Sequence, residues 1–340
     1  MEKKISLLGA LLALVFLFGC AELVFVRDAQ LYRVKDDGDE LQQIIPLPPP
    51  GSGNMYHRPD VNHNGDKVAF IAGTAVSPFG TLWRVNLDGG DARQINLDGS
   101  STQVARWYPD DDRYIVYFGK DTGTNEYAIR RAQTNLAARN WDKICDTNDR
   151  DNLGFDINKP QTSPHQIIFA RREANNKPKL YRRRLELAAG LCPGGPPVRI
   201  PPFPLGGVNP DDIQETFPVV SFSQAMLASA VSWPAFIGIR IRGIDQDGSI
   251  GLPVTFELQG LSEITGVSFA DEDQKIYLSA QTSGGNNLYS IGFKEIIRAL
   301  SDLLNPDPGE FLEIKTVDPK PIDVGPGNKF WPSGINTSTP

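Results

Sequence analysis

RPDVNHNGDKVAF, residues 58–70, admits two readings, and the choice between them decides the fold. Asp60, Asn62, Asn64 and Gly65 have the spacing of the front half of a calcium loop, D-x-[DN]-x-[DN]-G. Such a loop also needs a bidentate acid at its twelfth position, which here is Ile71. The other reading is a polar turn joining a proline-led strand to the apolar strand that follows. The turn is preferred, because the stretch recurs along the chain.

Altered copies of a proline, a short polar turn and an apolar strand appear at 108–119 (YPDDDRYIVYFG), 159–171 (KPQTSPHQIIFAR) and 217–231 (FPVVSFSQAMLASAV). A copy without the proline is GVSFADEDQKIYLSA, 266–280. A second alternating strand follows each, as in TLWRVNLDGG (81–90) and GIRIRGIDQDG (238–248), and several end in Asp-Gly, a pair that accepts positive φ in hairpins. A third strand follows, FLEIK (311–315) in the last unit. With Phe25, Phe70, Tyr117, Phe169, Ala228 and Tyr277 as equivalent strand positions, the repeat runs at or somewhat above the roughly 40–50-residue period of propeller blades.

The units fall near 23–45, 55–96, 104–145, 155–200, 215–258 and 264–316. The first lacks a proline-led opening strand, and NKFWPSGIN within the closing stretch 328–336 supplies one with nothing after it. Each end holds what the other lacks. The expectation is an all-β, six-bladed propeller in which the terminal strands pair and remove the open sheet edge. One segment breaks the β pattern: FKEIIRALSDLL, 293–304, spaces its apolar residues as a short amphipathic helix inserted in the last blade.

The repeat P-x-x-S-P-D-G-K-x-I-A-F followed by L-Y-x-x-N-x-D-G, matched best by RPDVNHNGDKVAF with TLWRVNLDGG, resembles that of the TolB-type propellers. The resemblance covers about residues 21–336 and implies the propeller fold. It leaves the biology open, since the repeat is shared by envelope scaffolds, peptidase propellers and some polysaccharide lyases.

MEKK and the apolar run after it form an export signal, and Leu17-Phe18-Gly19-Cys20 resembles a bacterial lipobox. That resemblance implies a signal peptide over 1–19, a mature propeller domain over 20–340, and palmitate-type lipidation of Cys20. Ala21 after the cysteine then implies the outer membrane, facing the periplasm. An ordinary signal peptide or a membrane anchor is the alternative. Cys145 and Cys192 remain, and an exported chain favours one disulfide between them over two buried thiols.

A net charge of −7 gives no general attraction to nucleic acid. His57, His63 and His165 have no metal-binding spacing, so neither metal nor cofactor is expected; His63 and His165 fall in turns and are read as solvated. No nucleophile elbow is present, and the carboxylate runs 36–37 and 110–112 fall in turns, so no catalytic residue is assigned. The pairs before the blade prolines stand out: His57-Arg58, Trp107-Tyr108, Asn158-Lys159, Phe217 after Thr216, and Phe330-Trp331. In a ring they gather near one channel mouth, as a binding rim or as packing between blades. The expectation is a non-catalytic, lipid-anchored envelope scaffold that binds a protein or a small polar ligand. The alternative is a propeller-type lyase or hydrolase acting on an envelope glycan or peptide.

Overall fold

Three Asp-Gly pairs, Asp37-Gly38, Asp88-Gly89 and Asp247-Gly248, turn hairpins with glycine φ of +92°, +88° and +80°. Each does more than reverse the chain. A Cβ on Gly38 would collide with the carbonyl oxygen of Asp323, on Gly89 with that of Ile45, and on Gly248 with the Gln166 amide. In every case the glycine abuts the sheet preceding its own, so the same dipeptide both forms the turn and permits close packing.

The computed structural model describes residues 22–335 apart from 36, 47–49, 52–53, 75–76, 97–100, 110, 122, 124–126, 136–140, 148–153, 163, 186–195, 203–207, 235, 271–274, 293–314 and 318. Cys20, Cys192 and the helix expected over 293–304 lie outside these residues; Cys145 falls in the strand Trp141–Thr147.

The described strands form antiparallel meanders, each led by an inner strand. Met55–Val61 leads to Lys67–Thr74, Ser77–Asn86 and Arg93–Gln94. Ser101–Trp107 leads the next run, ending at Trp141–Thr147, and the two runs meet through the bridge Gly80↔Thr102 in one eight-stranded sheet. Further inner strands are Phe155–Asn158, Gln214–Val220 and Glu263–Ala270. The remaining sheet is completed by both ends of the chain. Lys329–Ile335 pairs with Glu22–Arg27, from Glu22↔Ile335 to Arg27↔Lys329, and so becomes the inner strand of a sheet continued by Gln30–Lys35 and Gln42–Gln43.

The last unit departs from the sequence reading. Lys315–Val317, at the end of the expected FLEIK strand, pairs in parallel with Ile250–Leu258 of the preceding sheet, Phe256 facing Lys315. Lys320–Ile322 completes the last meander instead, through Leu288↔Ile322. A parallel pair needs a crossover of about a dozen residues or more, and here the chain between Leu258 and Lys315 includes Glu263–Ala270, Lys275–Thr282 and Gly285–Gly292.

The interior is a series of clusters between successive sheets. Phe70 and Tyr56 pack with Val24 and Val26; Ala69 and Leu82 with Tyr117; Phe118 with Phe155 and Phe169; Ile168 and Leu180 with Leu227; Phe256 with Phe269. Tyr277 and Leu288 meet Leu23 and Phe25, so the last meander packs against the first. Phe25, Phe70, Tyr117, Phe169, Ala228 and Tyr277 are all buried. Full burial of a large apolar side chain contributes about 1.5–3 kcal/mol, which places the stability of the ring in these seams.

Candidate functional site

The turn of residues 62–67 is organised by its own amides. The buried Asn62 side chain accepts the N–H groups of Asp66 (3.0 Å) and Lys67 (2.8 Å) and donates to Asp66 and to Asp112 of the next meander, 2.7 Å each. Asn64 also donates to Asp112. Gly65, at φ +71°, closes the turn. These carboxylates take N–H donors where a calcium loop would offer them to a cation.

Five inner strands carry one extra residue against their partner: between His57 and Asp60, Thr102 and Val104, Thr216 and Val219, Ile264 and Gly266, and Phe330 and Ser333. In three of these bulges the residue before proline has positive φ: Arg58 at 46°, Phe217 at 49° and Trp331 at 51°. A bulge re-aims side chains, and these three turn to the channel. Aligning the bulges and the turns that end the inner strands sets the channel wall as two stacked rings. One ring is Arg58, Val104, Gly154, Phe217, Gly266 and Trp331; the next is Asp60, Arg106, Asp156, Val219, Ser268 and Ser333. Together they surround a cavity of about 120 Å³. In the first ring small residues sit beside large ones: a Cβ on Gly154 would lie 3.1 Å from Cα of Phe217, and one on Gly266 3.1 Å from Cα of Trp331.

The residues expected at the rim divide. Arg58, Phe217 and Trp331 line the cavity at one level. His57 and Phe330, their chain neighbours, pack beside Trp331 at ring-centroid distances of 5.2 and 5.3 Å. Trp107 and Tyr108 also line the cavity, but at the far end of their strand, because Tyr108 pairs with Tyr114 as Asn62 pairs with Lys67. Asn158, buried, and Lys159 stand at that end too. The physical reason is that the repeat has two prolines. Pro59, Pro218 and Pro332 belong to the bulge; Pro109 belongs to the turn after the strand. His165 is half-buried rather than solvated: it bonds Tyr108, and burial lowers its pKa.

The second ring carries the charge. Asp60 Oδ2 accepts the Trp107 N–H at 2.7 Å, while Trp107 Nε1 donates to the Asp60 carbonyl at 2.9 Å. Asp156 Oδ2 accepts the Val220 N–H at 2.7 Å, and Ser333 Oγ accepts the Val61 N–H at 2.9 Å. Each side chain thus fastens the next inner strand at an equivalent residue. Arginine has no acceptor, so Arg106 cannot do the same for Ile157; Asp156 Oδ1 accepts that N–H instead, at 2.8 Å. Arg106 stands 3.5 Å from Asp60 and 4.0 Å from Asp156. Burial raises both carboxyls against the pull of Arg106, Asp60 to about 6. Burial, with Arg106 beside it, lowers Arg58 to about 10.

A second charged cluster was not legible in the sequence. GIRIRGI reads only as an alternating strand, whereas Arg240 and Arg242 are wholly buried and share Glu215, Arg242 at 2.9 Å. Ser229 and Thr255 complete the cluster. Nearby, Lys179 Nζ donates to the carbonyls of Pro210 (2.9 Å), Asp211 (3.1 Å) and Ile213. The period-2 pattern places both arginines on one face; it does not tell that a neighbouring sheet covers that face.

No protein-family model and no curated protein matches the chain. Solved structures do. The chain is similar to a protein in the crystal structure of a nidogen/laminin complex, at 11% identity and TM-score 0.59, covering 94% of this chain and 100% of that one. It is similar to TolB from Acinetobacter baumannii at 12% identity and TM-score 0.58, covering 94% and 67%. Hydrazine synthase of Kuenenia stuttgartiensis matches at 12% identity and TM-score 0.57; 94% of this chain spans 47% of that one. At such identities the likeness shows the fold alone, an all-β propeller.

Proposed function

We propose that this chain is a lipid-anchored, six-bladed propeller of the cell envelope that acts as a binding scaffold through its channel mouth. The carrying observation is the first ring, where Arg58, Phe217 and Trp331 meet at one level of a cavity of about 120 Å³. Ligand sites for drug-sized molecules run about 300–1,000 Å³. A cavity this small suits a side chain or chain end presented by a larger partner, with the aromatics as its rim. The count of six blades is supported by the separate inner strands and by the seams between successive meanders. Lipidation at Cys20, export and an outer-membrane position are supported by the lipobox-like LFGC. A protein partner agrees with the nidogen/laminin complex among the similar folds.

The second reading is a propeller-type lyase or hydrolase. One observation favours it: a channel carboxyl, Asp60, raised to about 6, the range of a general acid. Asp60 and Asp156 each hold a backbone N–H, which favours the scaffold.

The test is crosslinking of the full-length protein in its native envelope, then affinity capture, beside Phe217→Ala and Trp331→Ala. One protein captured by the parent and lost from both folded variants is the expected result. Capture indifferent to both variants would remove the channel mouth from the reading, and cleavage of envelope glycan lost in Asp60→Asn would establish the enzyme.

A further inference from the structure

Arg58 differs from every other charged group in the channel. Among the described residues it donates no hydrogen bond and joins no ion pair, although it lines the cavity at a bulge of positive φ. Arg106, one ring further in, has one hydrogen bond among the described residues, to the Ala105 carbonyl at 3.1 Å, and its two aspartates stand at 3.5 and 4.0 Å. Each aspartate spends an oxygen on a backbone N–H of the neighbouring strand. Two guanidinium groups with spare donors therefore share a space of about 120 Å³. Neither has a nitrogen that is both buried and unbonded, so the spare donors face the open channel. The planar donors of a guanidinium match a carboxylate two-to-two.

We propose that the channel cavity binds a carboxylate, clamped by Arg58 with Arg106 behind it, and that the partner's docking group is an acidic side chain or a chain terminus. This rests on the reading of the channel mouth as a binding site and names the chemistry it takes. The cavity charges of Arg58, Arg106, Asp60 and Asp156 cancel, so an incoming monoanion brings an uncompensated charge. Protonation of Asp60 removes one negative charge and strengthens binding as pH falls through about 6. The groups around Asp60 are Arg58 on its own strand, Arg106, Asp156, the neutral Ser268 and Ser333, and His63 at the following turn.

The probes are N-acetyl-triglycine and its C-terminal amide, observed by ligand NMR line broadening with the full-length protein at pH 7.5 and 5.5. The acid is expected to broaden, more at pH 5.5, and the amide not. Arg58→Gln, checked for an unchanged thermal midpoint, is expected to weaken the acid by about tenfold or more, as loss of a charge-assisted pair does, with Arg58→Lys between. Asp60→Asn, which retains an acceptor for the Trp107 N–H, is expected to bind more tightly at pH 7.5 and lose the pH dependence. Displacement by acetate would assign the site to any small carboxylate; resistance to it would assign a chain terminus. Equal broadening by acid and amide, an Arg58→Gln variant that binds as the parent does, or no binding at either pH would each overturn the proposal. Partner capture that needs Phe217 and Trp331 but tolerates Arg58→Gln would leave the scaffold standing and remove only the carboxylate.

Discussion

Asp60 and Glu215 are both buried carboxyls, and their surroundings give their titrations opposite signs. Burial raises Asp60 from 3.8 to about 6 because Arg106 is distant and shared. Between those values the folded state holds a proton the unfolded state lacks, so this contribution is full below about 3.8 and lost as pH rises through about 6. Glu215 is the reverse: burial alone would raise it, but Arg242 and Arg240 hold it at about 2 from 4.5. Its contribution is present above 4.5 and lost as pH falls towards about 2. Urea midpoints of the parent are expected to decline from pH 5 to 7 relative to those of Asp60→Asn. Parallel curves over that range would show that another group titrates. Gly89 supplies a second residue-level case. Alanine there faces a φ of +88° and the Ile45 carbonyl, and is expected to cost about 2 kcal/mol or more in urea unfolding. Gly243→Ala is the control: its Cβ would meet nothing within 4 Å, and its midpoint is expected to stay near the parent's.

Between elements, the contacts that matter are the fastenings from one inner strand to the next. Ser333→Ala removes the acceptor of the buried Val61 N–H and is expected to cost about 1–3 kcal/mol. Ser333→Thr keeps the hydroxyl, and equal losses in both would point to packing rather than the bond. Glu215→Gln strands two buried arginines and is expected to cost about 3–5 kcal/mol by thermal unfolding. These elements also show how far the sequence could be read. RPDVNHNGDKVAF names the inner strand, its turn and the apolar strand beside it, because proline, Asn-Gly and period-2 alternation are local signals. One proline per unit groups Trp107 with His57, whereas the bulge and the turn each have one. The spacing P-x-x-S-P would have separated them. The sequence marks Asp60 only as a candidate calcium-loop ligand and does not mark Arg106 or Asp156, for another reason. Each is an ordinary polar residue on its own strand, and only the ring brings the three together.

At the scale of the molecule, everything above depends on closure. The second ring is continuous only because Ser333 arrives from the far end of the chain to fasten Val61, and Trp331 supplies an aromatic of the channel mouth from the same strand. Without Lys329–Ile335, the strand Glu22–Arg27 presents an unpaired edge made of Leu23, Val24, Phe25 and Val26, all buried in the closed form. An apolar edge of that kind is a template for pairing with another chain. Truncation after Asn328 is therefore expected to lower the thermal midpoint and to shift the protein to dimers or larger species in size-exclusion chromatography at micromolar concentration. A synthetic peptide spanning 329–335, added in excess, is expected to restore the monomer by occupying the same register. Ser333→Ala in that peptide should weaken the rescue, since it leaves the Val61 N–H without its acceptor. A truncated chain that stays monomeric with an unchanged midpoint would mean that the seams between sheets, and not the shared terminal sheet, hold the ring closed.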